Sequence, residues 1–213
     1  MTDRRLAAAH GGLIAACEAA LAAAAAIAPP GAIAIQLREK DLAARELLEL
    51  AHALRPRCAR YGAPLIINDR LDVALAADAD GVHLPAASFA VRDARAIVGA
   101  ARLVGISAHT PSEVAAAARE GADFAVYGPV FDPLSKAAYT AARGAAGLAA
   151  ACRAAPLPVY ALGGITVARI DQLRDDPAFG SGQRPAGAAV IGAIFGADDP
   201  AAATRALLAA ILK

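Results

Sequence analysis

The sequence has no run of large apolar residues long enough to cross a bilayer. Its most apolar stretch, Ala20 to Ile27, is short and mostly alanine, whereas a spanning helix needs about 20 consecutive apolar residues. A basic start followed by an apolar segment and a cleavage pattern is also missing, so no signal peptide is expected and the chain reads as cytoplasmic. Cysteine is scarce. Cys17, Cys58 and Cys152 are widely spaced with no CxxC pair, which argues against a disulfide framework or a zinc site and predicts reduced, structural thiols. Nor is there an excess of either charge. Twenty-one basic residues against 20 acidic ones leave +1, so bulk charge supports neither a nucleic-acid partner nor a membrane surface. What the chain does have is 213 residues that are 58% hydrophobic, with alanine supplying the excess. That length suits one sizeable core, and a single domain over residues 1–213 is expected.

Seven strand-like runs alternate with alanine-rich helical runs, at intervals of about 20 to 30 residues, the spacing of repeated βα units. The predicted strands cover 32–39, 65–68, 81–84, 103–107, 124–130, 159–163 and 188–194. Helices are predicted at 12–26, 41–55, 70–77, 90–98, 111–120, 145–154, 167–174 and 199–212. Continuous apolar strands between amphipathic helices require a sheet covered on both faces, which is met by a closed (β/α)8 barrel or a doubly wound sheet. A barrel wants a strand before the first helix, yet only a few polar residues stand there, so its first strand is expected to be short or missing. Residues 175–186 carry glycines and prolines and read as a surface insertion.

In a barrel the chemistry collects at the carboxyl ends of the strands. The residues expected there are Gln36, Arg38, Lys40, Asn68, Asp69, His83, Ser107, His109, Tyr127, Gly128, Ser135, Lys136, Gly163, Gly164, Ile191 and Gly192. Gln36, Arg38 and Lys40 alternate along one strand, so a period of two points all three donors the same way, as an anionic ligand would require. Asp69 has a plainer alternative as the cap of the helix that follows. His83 reads more readily as a packing residue than as a base, and neither it nor His109 has a partner at metal-ligand spacing. The glycines at 163–164 and 192 suit loops that bind phosphate through backbone N–H groups.

Taken in order, Gln36-Leu37-Arg38-Glu39-Lys40, the segment Asn68-Asp69-Arg70-Leu71, Gly81-Val82-His83-Leu84, Gly105-Ile106-Ser107-Ala108-His109, Gly128-Pro129-Val130, Ser135-Lys136 and Gly163-Gly164-Ile165 resemble the family of thiamine phosphate synthases and thiazole tautomerases. The resemblance runs over residues 2–212, with Thr2-Asp3-Arg4 similar to the tail of the family's first strand. It implies an α/β fold, a (β/α)8 TIM barrel. It also implies a transferase that condenses hydroxymethylpyrimidine pyrophosphate with thiazole phosphate and needs Mg2+. By position, Gln36, Arg38, Lys40, Asn68, Ser107 and Lys136 would hold the pyrimidine and its pyrophosphate, with Arg38, Lys40, Ser107 and Lys136 as the catalytic group. Asp69 would bind the metal. Gly164 and the Ile191-Gly192 backbone would hold the thiazole phosphate, with Ser135 beside them.

Two positions depart from the family pattern. Its second magnesium carboxylate falls at Ser88, and of two threonines before Lys136, one is replaced by Pro133 while Ser135 keeps the other hydroxyl. The tautomerase branch places a histidine base at what is here Pro129, with His109 the nearest substitute. Synthase is therefore ranked first, tautomerase second, and a non-catalytic binder of phosphorylated thiazole or thiamine third. Partners are expected to be small phosphorylated molecules rather than nucleic acid or membrane, and a homo-oligomer is left open.

Overall fold

The computed structural model describes residues 1–132, 141–180 and 182–213. Its strands are β1 (Ile35–Leu37), β2 (Leu65–Asn68), β3 (Gly81–Leu84), β4 (Leu103–Ala108), β5 (Phe124–Tyr127), β6 (Val159–Leu162) and β7 (Gly187–Ala189). Its helices are α1 (Leu13–Ala25), α2 (Ala44–Arg60), α3 (Leu71–Ala76), α4 (Val91–Val98), α5 (Pro111–Arg119), α6 (Gly144–Arg153), α7 (Val167–Asp175), α8 (Gly192–Phe195) and α9 (Pro200–Ile211). The strands follow chain order without the reversal that a doubly wound sheet requires. This is an α/β fold of the TIM-barrel type.

The described residues form two compact units. The first holds Met1–His83, Ile97–Leu103 and Ile191–Lys213. In it β1 and β2 pair in parallel with Gln36 opposite Ile66, and β2 continues the pairing with Asn68 opposite His83. Every residue of β2 and β3 is buried, the pattern of strands covered on both faces. Helix α1 packs on α9 and α2, its small alanines allowing close approach. The second unit holds Leu84–Ala96 and Val104–Val190, where β4 to β7 pair in parallel with Ala108 opposite Tyr127 and Ala161 opposite Ala188.

No strand precedes α1 among the described residues. A 3-10 turn, Leu6–His10, stands there instead, and a single rung from the Thr2 N–H to the Gln36 carbonyl oxygen, 2.9 Å, takes the place of a first-strand ladder.

Several predicted boundaries are corrected. Strand β1 stops at Leu37 rather than 39, because the Arg38 N–H goes to Thr2 Oγ1 at 2.9 Å and Glu39 turns its carboxylate to Thr2 and Arg4. Strand β5 ends at Tyr127 rather than 130, just before Pro129, which has no N–H to give a ladder. Residues 192–194, predicted as the end of a strand, instead open the helical turn α8, in which the Phe195 N–H meets the Ile191 carbonyl at 3.0 Å. A short apolar run carries no period that separates the two states. Helix α2 runs through Pro56 to Arg60, five residues past its predicted end. Arg57 and Arg60 hold that last turn by pairing with Glu18 of α1 at 2.8 and 3.1 Å.

The link after α7 is anchored by Phe179, which is 2% exposed and lies under the Arg184 guanidinium. All three cysteines are buried and unbridged, and burial pushes Cys17 up to about 12 and Cys58 and Cys152 up to about 11. No helix among the described residues is long and apolar enough to cross a membrane.

Candidate active site

In the first unit, the carboxyl ends of β1 and β2 present a buried amide pair. Gln36 Nε2 donates to Asn68 Oδ1 at 3.1 Å, and both side chains are buried. Pairing the two amides leaves for a ligand the Gln36 carbonyl oxygen, its second amide hydrogen and the Asn68 amide hydrogens. Only Gln36 of the three expected donors lies on the strand. Arg38 and Lys40 follow it in the loop, the first half-buried and the second exposed, so strand alternation does not orient them as predicted.

The chain then makes a tight turn at Asp69, whose φ is +67°. Aspartate is one of the few residues that accept the left-handed region at modest cost. The Asp69 N–H meets the His83 carbonyl, and the Arg70 N–H meets the Asn68 carbonyl, each at 2.9 Å. Helix α3 is capped at Arg70 with no side-chain bond. The cap position thus falls one residue past Asp69, which stands at the carboxyl end of β2 on a turn closed by backbone bonds.

His83 is 1% exposed. Burial first, then the amino-terminal charge and Arg38, lower its pKa from 6.5 to about 4. It is neutral near pH 7, and the packing reading is the one the structure supports. Below about pH 6.5 the unfolded chain gains a proton there that the folded chain refuses until about pH 4. Stability is thus expected to fall as pH drops through that window, by about 3 kcal/mol in total. Urea unfolding at pH 7 and 4.5 should show this loss in the wild type and a smaller one in His83→Gln. Equal losses in both proteins would rule out His83 as the source.

Ile191 caps α8 and Gly192 opens it. The close approach expected of Gly192 is not enforced by packing, since a Cβ there would meet nothing within 4 Å.

In the second unit, Ser107 lies on β4 opposite Val126. His109 Nδ1 sits 2.6 Å from the Gly128 carbonyl oxygen, and its N–H bonds Glu113 beside the Thr110–Glu113 capping box of α5. The imidazole thereby braces the turn after β5. Tyr127 is 2% exposed, and burial raises its hydroxyl. Gly163 and Gly164 take φ of +98° and +61°. A Cβ on Gly163 would lie 2.7 Å from Pro129 Cα, and one on Gly164 would collide with the Asp132 carbonyl oxygen and the Arg169 guanidinium. Arg169 was not among the predicted residues. It donates to the Gly164 carbonyl at 2.6 Å and the Asp132 carbonyl at 3.2 Å, and lies over the Phe131 ring at 4.8 Å. Its place three residues after the Thr166 cap of α7 was the only signal for it. Ser88 closes a turn through its N–H to the Pro85 carbonyl at 3.0 Å. Ser135 and Lys136 lie outside the described residues.

Among the described residues no three His, Cys, Asp or Glu side chains cluster as a metal cage. Mg2+ ordinarily takes one or two carboxylates and completes its shell with water and substrate phosphate oxygens. Asp69 fits that requirement as a single protein anion, with a diphosphate supplying the rest.

Seven parallel strands in chain order, alternating with helices, define an α/β protein of the TIM-barrel type. The family model for thiamine monophosphate synthase matches residues 5–194. A thiamine-phosphate synthase from Xanthobacter autotrophicus is 42% identical over 213 residues, covering 100% of this chain and 93% of the relative. One from Roseiflexus castenholzii is 45% identical over 177 residues, 83% of this chain and 75% of the relative. The solved structure of thiamine phosphate pyrophosphorylase from Pyrococcus furiosus superposes with a TM-score of 0.82 at 32% identity, covering 99% of this chain and 93% of that one. The chain belongs to the thiamine monophosphate synthase family.

Proposed function

We propose that this chain is a thiamine-phosphate synthase that joins hydroxymethylpyrimidine pyrophosphate to thiazole phosphate. The observation that carries the reading is the family match over residues 5–194. In the reaction the bond from the pyrimidine methylene to the diphosphate oxygen breaks, the thiazole nitrogen bonds that carbon, and pyrophosphate leaves. Gln36 and Asn68 bind the pyrimidine through the atoms their mutual bond leaves over. Arg38, Lys40, Ser107 and Lys136 offer hydrogen-bond donors to the diphosphate, where negative charge grows as it departs. Asp69 would hold Mg2+ together with the diphosphate, and the ion's charge would stabilise that leaving group. Gly164 and the Ile191-Gly192 backbone, with Ser135, bind the thiazole phosphate through N–H and hydroxyl donors. Three buried, unbridged thiols suit a reducing compartment such as the cytoplasm.

Tautomerase activity is the weaker reading. The branch's base position is Pro129, and His109 is engaged by the Gly128 carbonyl. The decisive experiment is a product assay with both substrates and Mg2+, run beside a tautomerase assay on the same preparation. Thiamine phosphate that forms only when all three are present is the expected result. Tautomer conversion alone, or thermal stabilisation by phosphorylated ligand without turnover, would overturn it.

Gly192→Asp tests the phosphate position. The open space around Gly192 admits the new side chain without displacing neighbours, so the change is chiefly one of charge. Affinity for thiazole phosphate should fall roughly tenfold. Unchanged affinity measured by calorimetry would move the phosphate elsewhere.

A further inference from the structure

Glu39 lies between Arg38 and Lys40 and is itself buried, 6% exposed. A buried carboxylate persists only where it is fully satisfied, and here every partner comes from one short segment. Thr2 Oγ1 donates to Glu39 Oε1 at 2.7 Å, the Arg4 N–H reaches both carboxylate oxygens at 3.1 and 3.2 Å, and Arg4 Nη1 reaches Oε2 at 3.3 Å. The Thr2 hydroxyl is used twice, since it also accepts the Arg38 N–H at 2.9 Å. The Thr2 backbone N–H donates to the Gln36 carbonyl, also at 2.9 Å. Arg4 then closes on Asp41 through two bonds of 2.6 and 2.7 Å. Thr2 and Arg4 therefore hold the stretch 36–41 at four residues, where an ordinary loop would leave Arg38 and Lys40 on flexible backbone.

We propose that Thr2 and Glu39 are positioning residues for the diphosphate grip: the Thr2 hydroxyl and the Glu39 carboxylate lock the backbone from which Arg38 and Lys40 reach the pyrimidine substrate. This rests on the synthase reading above. Neither residue needs to touch substrate. Their contribution is to fix the loop before the ligand arrives, which spares the ligand the cost of ordering it.

The test compares Thr2→Val, which keeps the shape and removes the hydroxyl, with Thr2→Ser, which restores it. Thr2→Val is expected to raise KM for the pyrimidine diphosphate roughly tenfold, the scale of one or two lost charge-assisted bonds. KM for thiazole phosphate should stay at the wild-type value, and Thr2→Ser should return the pyrimidine diphosphate KM to normal. Arg4→Gln, at a partly exposed side chain, should give a smaller rise in the same KM and decides the question if Thr2→Val does not fold. A uniform fall in kcat with both KM values unchanged would mean a merely structural role and overturn the proposal. An inactive wild type would instead overturn the synthase reading.

Discussion

Asp69→Ala is expected to lower magnesium-dependent condensation by roughly 100- to 1,000-fold, about 3–4 kcal/mol of lost stabilisation of the departing diphosphate. The size follows from there being little in reserve: on the family alignment the second carboxylate position is Ser88, whose hydroxyl is a poor ligand for a hard dication. Folding should survive, because the backbone bonds to His83 and Asn68 that close the turn remain in the variant. Asp69→Asn is the sharper control, since asparagine also tolerates the positive φ and removes only the charge. The converse change, Ser88→Asp, should tighten the magnesium requirement to lower concentrations. Steady-state rates across a magnesium titration check both. Condensation undiminished in Asp69→Ala would remove the proposed metal role.

Gly164→Ala should raise KM for thiazole phosphate roughly a hundredfold. The left-handed φ of +61° costs an alanine about 1 kcal/mol, and that is the smaller part. The added Cβ collides with the Asp132 carbonyl and the Arg169 guanidinium, so the turn must move and Arg169 must release the two carbonyls it bridges. KM for the pyrimidine diphosphate should change little. A wild-type KM for thiazole phosphate in this variant would place the phosphate away from Gly164.

How much could be read from the residues alone follows from the range of each interaction. Strands β2 and β3 end where their apolar runs end, because burial on both faces leaves a continuous signal. Strand β1 was overextended because what stops it is a threonine hydroxyl 36 positions away in sequence, on the Arg38 N–H. Glu39 stands in the sequence as one more charge between Arg38 and Lys40, and its ties to Thr2 and Arg4 leave no local trace. Asp69 could be read as a cap or a ligand, and its positive φ, set by the turn between β2 and α3, is not written in the residues beside it. Arg169 was invisible for the same reason as Glu39: its partners are carbonyls, and any residue can supply a carbonyl.

The three sunken cysteines have a practical corollary. Thiolate is the reactive form of cysteine, and burial holds all three thiols far above neutral pH. The folded protein should therefore be silent to thiol-directed dyes and mild oxidants. A single cysteine introduced at Ala43, which is exposed, would be the one position that takes up label, turning the end of the loop that carries the diphosphate grip into a place where substrate arrival can be watched by fluorescence.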